Sequence, residues 1–484
     1  MINLRPVARV ISVLFVLIGM MIWTALLFSW YYGEDGRPIF LAGLTSMVMG
    51  GLCFLVKNPK GVPIRKREGY LIVVLSWVAM VVAGMLPYLY SGMIPSVADA
   101  LFETVSGMTT TGASVLTDIE SPDNPKALLY WRSLTQWIGG MGIIVLTVAV
   151  IPLLGIGGIE LFAAEAPGPT SDKIHPRISE TAKRLWLLYV GFTGTLAVLL
   201  VIFGLSPYEA INHALTTMAT GGFSTRNASA AAFSPHVQYL LIVFMFLAGV
   251  NYTVLYLSWK RRWADVWRSD ELKAYIGLVF ILSILCTTGV YFSGNGGGLE
   301  QSFRDSLFQI VSLITTTGFV SADYTSWSTS LTFIFFMLLF LGACAGSTAG
   351  GIKLVRHLVF VKNSYLEFKR ILHPSAIVPL RLNGEVVPGR IITHVFNFLL
   401  LYLLIFVIGC VLLAMMGLDF ETALGAMATS LGNVGPGIGK VGPVDNFAWL
   451  SPQIKVFLSF VMIIGRLEIY TVLVLFSPFF WRLN

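Results

Sequence analysis

The sequence is short of charge. Lysine, arginine, aspartate and glutamate make up 12% of its 484 residues, about half the share of a typical soluble domain. Over so long a chain, that shortage excludes an ordinary cytoplasmic enzyme with one buried core. Cysteine is scarcer still: Cys53, Cys286, Cys344 and Cys410 lie far apart inside apolar stretches. No pair has the C-x-x-C spacing of a metal site, and the set suggests no disulfide framework. Six histidines (His175, His213, His236, His357, His373 and His394) are scattered without metal spacing, and no Ser-His-Asp set can be argued. Neither a Walker A motif nor a dinucleotide-binding glycine fingerprint occurs, and no organic cofactor is expected. The 32 lysines and arginines give a formal charge of +7. They stand in short clusters between apolar runs rather than along one face, so nucleic-acid binding is not expected. What the chain has is apolar residues, 56% of the total, and aromatics, 13%, which rule out disorder. It reads as a multi-pass membrane protein.

A hydrocarbon core about 30 Å thick takes roughly 20 apolar helical residues to cross. Ten runs qualify, near 8–30, 38–56, 69–94, 127–152, 185–204, 237–258, 274–293, 329–352, 391–417 and 453–480. Arg5 and Arg9 precede the first, which is too long for a signal-peptide core and reads as a span. Basic clusters at 57–67, 173–184, 260–273 and 353–390, with Arg5, Arg9 and Arg482, put 24 of the 32 bases on one side. That bias makes this side cytoplasmic and places both termini there. The opposite side carries fourteen acids, among them Asp99, Glu103, Glu209, Asp305, Asp323, Asp419 and Glu421, against five bases, and a negative mouth concentrates cations.

Four connections on that outer side hold a second kind of segment, about a dozen residues, apolar but too short to span: 97–111, 208–221, 302–317 and 420–431. Such segments suit re-entrant helices. After two initial spans the chain therefore reads span, short segment, span, four times over. Each short segment ends in a related sequence: Thr109-Thr110-Thr111-Gly112, Ala219-Thr220-Gly221-Gly222, Thr315-Thr316-Thr317-Gly318 and Thr429-Ser430-Leu431-Gly432. One Thr-Gly at a helix end is an ordinary C-cap; four at one place in four repeats point to a shared task. The expected divisions are 1–67 for two extra N-terminal helices, then repeats at 68–160, 161–268, 269–372 and 373–484.

An extended loop at membrane depth must line water or be buried in protein. Four such loops around one axis aim neutral backbone carbonyls at a central path, where they replace the hydration shell of a monovalent cation. The short helices point their C-termini inward and add partial negative charge. The candidate filter residues are Thr110, Thr111 and Gly112; Thr220, Gly221 and Gly222; Thr316, Thr317 and Gly318; and Leu431, Gly432 and Asn433. The fourth loop continues Val434-Gly435-Pro436-Gly437, so Gly435 competes with Gly432 for the filter position. The second loop has a spare glycine, Gly221, where the first and third have threonine. His213, in the second short segment, reads as a packing residue.

Four span–pore helix–span repeats with one filter glycine each resemble the Trk/Ktr/HKT superfamily of potassium transporters. The two extra spans, the length and the segment Gly432-Asn433-Val434-Gly435-Pro436-Gly437 resemble its bacterial TrkH branch. The resemblance covers nearly the whole chain. It implies an all-α integral membrane protein with ten transmembrane helices and four tandem repeats around one central pore. It further implies potassium as bound substrate, held by the filter carbonyls, with rubidium passing well and sodium poorly. A homodimer in the bacterial inner membrane and a cytoplasmic nucleotide-binding partner resembling TrkA also follow from it.

Two gates suggest themselves. Arg466 lies mid-span, where a charge costs about 2.5–3.5 kcal/mol and so faces a cavity, a pore or a partner; by resemblance it is a cationic barrier below the filter. Glu468 is a poor partner, since positions i and i+2 of a helix do not face each other. The second candidate is the small-residue run Gly342 to Gly351, with Gly346 and Gly350, followed by Lys353. It is either a close-packing face or, by resemblance, an intramembrane loop that crosses beneath the filter. The basic 353–390 stretch suits anionic lipid or a cytoplasmic partner. A competing expectation is a proton- or sodium-coupled symporter, which needs carboxylates inside spans; Glu468 is the one clear case.

Overall fold

The computed structural model describes residues 3–55, 66–142, 178–294 and 297–482. Residues 143–152 of the predicted span 127–152, the expected division at 160, residues 57–65 of the basic cluster 57–67 and residues 173–177 of the cluster 173–184 lie outside them.

The chain is mostly helical, and its outer helices expose what a soluble protein hides. Phe280, Ile281, Ile284 and Leu285 of helix Asp270–Ser293 are all at least half exposed, as are Leu400, Leu403 and Leu404 of helix Gly389–Met415. A continuous apolar outer face requires an apolar surrounding, and all-helical backbone satisfies its own hydrogen bonds there. Among the described residues six helices are long and apolar enough to cross a membrane, or eight if two bent pairs each count as one. The first two, Leu4–Thr24 (extended by Leu26–Tyr32) and Arg37–Phe54, pack through small residues. An ideal Cβ on Gly19 would lie 2.7 Å from the Gly43 carbonyl oxygen, and one on Gly50 would lie 2.7 Å from that of Ser12. Ser12 and Ser46 donate across the same contact to the carbonyls of Gly50 and Phe15. Close backbone approach with hydroxyl donors is how helices hold together in lipid.

Four short helices follow the expected pattern: Val97–Met108, Pro207–Met218, Leu299–Ile314 and Phe420–Gly432. Their N-termini are capped by the Ser96, Ser206 and Asp419 side chains in three cases and start at Gly298 in the fourth. Asp99, Glu209, Glu300 and Glu421 sit in their first turns, where the helix dipole favours an acid.

The helices that return from these segments depart from expectation. The sequence predicts continuous spans at 237–258 and 453–480 and leaves 329–352 open to an intramembrane loop; all three are broken. Pro235–Ala248 and Tyr252–Trp259 meet at 103°, and Pro452–Arg466 and Tyr470–Phe476 at 115°. Helix Thr329–Leu338 ends in the Leu341–Lys353 loop, whose two ends pair as a parallel bridge, Leu341 to Ile352 and Gly342 to Lys353. Helix Lys126–Trp137, which returns from the first short helix, widens into a π-turn at Ile138–Gly142. Breaks in all four places coincide with glycine (Gly139, Gly249, Gly342, Gly465), which lowers helix propensity and lets another backbone approach. Among the described residues the expected all-α class acquires two minimal strand pairings, this bridge and the antiparallel pair Arg381–Leu382 with Glu385–Val386.

Candidate functional site

The four Thr-Gly segments end their helices in one way. The N–H groups of Thr111, Gly221, Thr317 and Val434 donate to the carbonyls of Ser106, Thr216, Ser312 and Thr429, at 2.8–3.0 Å, each five residues back. The residue before each donor is left-handed: Thr110 (φ 55°), Thr220 (53°), Thr316 (53°) and Asn433 (54°). This is a Schellman-type helix end, but with threonine in three cases and asparagine in the fourth, rather than glycine, in the left-handed position. A β-branched residue at positive φ is an outlier that persists only where its surroundings over-determine it. All four residues are fully buried.

One position beyond each donor stands a left-handed glycine: Gly112, Gly222, Gly318 and Gly435. The register of the fourth loop is thereby Asn433-Val434-Gly435. Leu431 and Gly432 are the last residues of their helix, which runs up to the left-handed residue instead of stopping two short of it. Leu431 is used in packing: its carbonyl oxygen would be 2.2 Å from a Cβ on Gly465.

Each of these glycines abuts the next loop's carbonyl. An ideal Cβ on Gly112 would stand 2.2 Å from the Gly221 oxygen, on Gly222 2.0 Å from Thr317, on Gly318 2.1 Å from Val434, and on Gly435 2.7 Å from Thr111. Loop one meets two, two meets three, three meets four and four meets one. The sequence of contacts closes on itself, so the loops encircle one axis, and a side chain at any of the four glycines would collide with a ring carbonyl. The carbonyls so placed are those of Thr111, Gly221, Thr317 and Val434.

Side chains behind the ring hold it. Thr109 and Thr111 join hydroxyls at 2.7 Å, as Thr315 and Thr317 do at 2.8 Å. Glu103, fully buried, receives the Arg132 guanidinium at 2.6 Å together with the Val115 N–H and the Ser114 hydroxyl. Arg132 also donates to the Ser224 carbonyl and lies 3.4 Å over the Phe223 ring. A buried charge is tolerable when paired and hydrogen-bonded, and this pair is both. Its counterparts, read by the shared helix-end register, are His213, which bonds the Ser224 hydroxyl at 3.0 Å, Gln309, which donates to the Ala322 carbonyl, and Ala426. The sequence places Glu103 among the acids of the outer side, and nothing in it joins that residue to Arg132. A carboxylate midway along a short apolar helix and a lone arginine in the next predicted span are the available signal.

Outside the ring, bases and acids also pair: Arg226 with Glu120 and Glu209, Lys455 with Asp99, Arg304 with Glu300, Lys440 with Asp419. The Asn227 backbone N–H and then the Arg226 guanidinium hold the Glu120 carboxyl below its ordinary range.

On the other side of the ring the Leu341–Lys353 loop touches the segments that carry the second, third and fourth Thr-Gly ends. Gly350 N–H donates to the Thr316 hydroxyl at 2.6 Å, and a Cβ there would be 2.8 Å from the Gly432 oxygen. Thr348 donates to the Met218 and Ala248 carbonyls. Cys344 N–H bonds the Gly249 carbonyl, and Gly346, left-handed at φ 72°, offers its carbonyl to Tyr252 N–H. Arg466 spans the remaining gap: its guanidinium donates to the Thr348 carbonyl at 2.9 Å and to those of Gly139 and Gly140 at 2.7 and 2.8 Å. Broken helices leave carbonyls without intrahelical partners, and Arg466 collects three of them. Lys353 is buried and its ammonium turns back to the Ala349 carbonyl, inside the loop. Glu468 is bound elsewhere, to Arg356 at 2.5 Å. Among the described residues no group of three His, Cys, Asp or Glu side chains converges as a metal site.

The family model for TrkH, a cation transport protein, matches residues 36–293 and 298–483. The Trk system potassium uptake protein TrkH of Escherichia coli K12 is 37% identical over 99% of this chain and all of its own length. TrkG of the same strain is 35% identical over 93% of each chain. The crystal structure of the potassium transporter TrkH from Vibrio parahaemolyticus superposes with a TM-score of 0.88, at 34% identity, covering 99% of this chain and 100% of that one.

Proposed function

The chain belongs to the TrkH family of cation transport proteins, transporters and not enzymes, and from that premise we propose that it takes up potassium through a gated, channel-like pore. The observation that carries this reading is the closed ring of four carbonyls, Thr111, Gly221, Thr317 and Val434, each backed by a neighbour's glycine. Neutral oxygens converging on one axis suit a dehydrated alkali cation. The pore helices end at the ring with their negative dipole ends toward it. Potassium and rubidium are the preferred ions and sodium the poorer one. The relatives named above are potassium uptake proteins, which agrees.

In this reading, ten spans comprise the eight candidates counted with bent pairs and two more at 127–152 and 329–352. Two extra N-terminal helices (1–67) precede repeats at 68–160, 161–268, 269–372 and 373–484. The Leu341–Lys353 loop is the gate, with Gly346 and Gly350 as its flexible points, Lys353 at its root and Arg466 as the cationic latch across the path. The chain is the membrane component of a multi-subunit system, a homodimer in the bacterial inner membrane with both termini cytoplasmic. A cytoplasmic nucleotide-binding subunit sets the gate. The coupled-symporter alternative is weakened because Glu468, the carboxylate it would use, is committed to Arg356.

The test is cation flux in liposomes holding purified protein, wild type against Gly318→Ser. Wild type passing potassium and rubidium well and sodium poorly, with discrimination reduced in the variant, supports the assignment. Unchanged discrimination in a folded variant removes these loops from the selective site.

A further inference from the structure

The spare glycine of the second loop has a physical cause. In loops one and three the residue before the filter glycine is threonine, and its hydroxyl bonds a second threonine behind the ring. In loop two it is Gly221. Backbone conformation does not explain this, since Gly221 lies outside the left-handed region. Space does: an ideal Cβ there would fall 2.3 Å from Cδ of Gln136 and 2.4 Å from its Oε1. Gln136, fully buried on helix Lys126–Trp137, occupies the volume the missing threonine would fill.

Its amide does more than fill. Nε2 donates to the Gly221 carbonyl at 2.6 Å, and Oε1 accepts from Phe223 N–H at 3.0 Å. The two bonds straddle Gly222 and fix the backbone on both sides of it. Arg132, one helical turn earlier and so on the same face, grips the next residue along through the Ser224 carbonyl and is itself anchored by Glu103. One helix of the first repeat therefore holds the filter segment of the second.

We propose that Gln136 is a positioning residue for ion selectivity, setting the direction and distance of the Gly221 carbonyl in place of the threonine pair used in loops one and three. It touches no ion; it acts through the carbonyl it holds. The proposal rests on the ring being the filter.

Liposome flux of potassium and sodium tests it with wild type, Gln136→Met, Gln136→Ala and the double variant Gln136→Ala/Gly221→Thr, with Gly318→Ser as control. Methionine keeps the volume and removes both hydrogen bonds. Gln136→Met is expected to pass potassium while its preference over sodium falls about tenfold, the factor one well-placed hydrogen bond controls. The double variant, which restores the threonine of the other loops in the vacated space, is expected to recover discrimination lost in Gln136→Ala. A purely structural role would lower stability in all three variants without this exchange. Wild-type discrimination in Gln136→Met overturns the proposal, as does a folded double variant no more selective than Gln136→Ala. If Gln136→Met does not fold, the double variant alone decides. A wild type that does not discriminate, or an unaffected Gly318→Ser, defeats the filter reading itself; loss in Gly318→Ser with none in Gln136→Met defeats this inference alone.

Discussion

Asn433 donates through its side-chain amide to the hydroxyl of Thr111 at 3.0 Å, joining residues 322 positions apart. The same amide nitrogen reaches the Met462 carbonyl at 2.9 Å. The last loop is thus pinned both to the first and to the helix that carries Arg466. Asparagine is also the non-glycine residue best suited to a left-handed helix end, so one side chain serves conformation and closure together.

Replacing it separates the two. Asn433→Gly keeps the left-handed backbone and loses the bonds, and should destabilise by about 1–3 kcal/mol. Asn433→Val adds β-branched strain and should melt lower still. Thermal unfolding of purified protein, scored by monodispersity, gives the order; equal melting of both variants with wild type contradicts the closure role.

Arg466→Ala removes three donors to carbonyls of the loop and of the first-repeat π-turn. Basal potassium flux should rise, and Arg466→Lys, whose ammonium lacks the planar fork, should fall between. Unchanged flux in Arg466→Ala would mean that the arginine binds helix ends without barring the path.

Glu271 accepts two backbone N–H groups on one oxygen, Ala345 in the loop at 2.8 Å and Val355 in the first turn of helix Leu354–Leu372 at 3.0 Å. The one carboxylate oxygen thereby ties the start of that helix to the loop. Glu271→Ala should raise basal flux about tenfold, the effect of losing one charge-assisted bond. Glu271→Gln, which retains an acceptor, should change it less; the opposite order argues against an acceptor role.

The Glu120–Arg226 contact predicts an acid limb. Because Glu120 has its carboxyl lowered in the folded protein, its contribution is complete above the ordinary carboxylate value, about 4.3. It is lost as pH falls through the lower folded value. Melting temperature measured from pH 6 to pH 3 should fall less steeply in Glu120→Gln than in wild type. Parallel curves would assign the acid sensitivity to other carboxylates.

The repeated Thr-Gly ends were readable because each is local: a short apolar helix and its cap lie within about fifteen residues. The fourth register was not, because Gly432 and Gly435 both fit the pattern, and only packing of the helix against Gly465 decides where it ends. Arg466 stood out as a charge in an apolar run, but its partners are backbone carbonyls, which carry no residue identity. Gln136 escaped notice for a related reason. A single amide in a span has no periodicity, and its meaning lies in the side chain missing at Gly221. The breaks in the returning spans were hidden by hydropathy, which counts apolar residues and does not register a bend at Gly249 or after Gly465.

The ring is drawn from one polypeptide and its four quarters differ: threonine, glycine, threonine and valine precede the glycines. In an assembly of four identical chains any substitution is copied fourfold, and the pore keeps its rotational symmetry. Here a codon change alters one quadrant and leaves three. If the ring is the filter we propose, an ion at its centre meets four inequivalent walls, its resting point need not lie on the axis, and selectivity is adjustable in quarter steps.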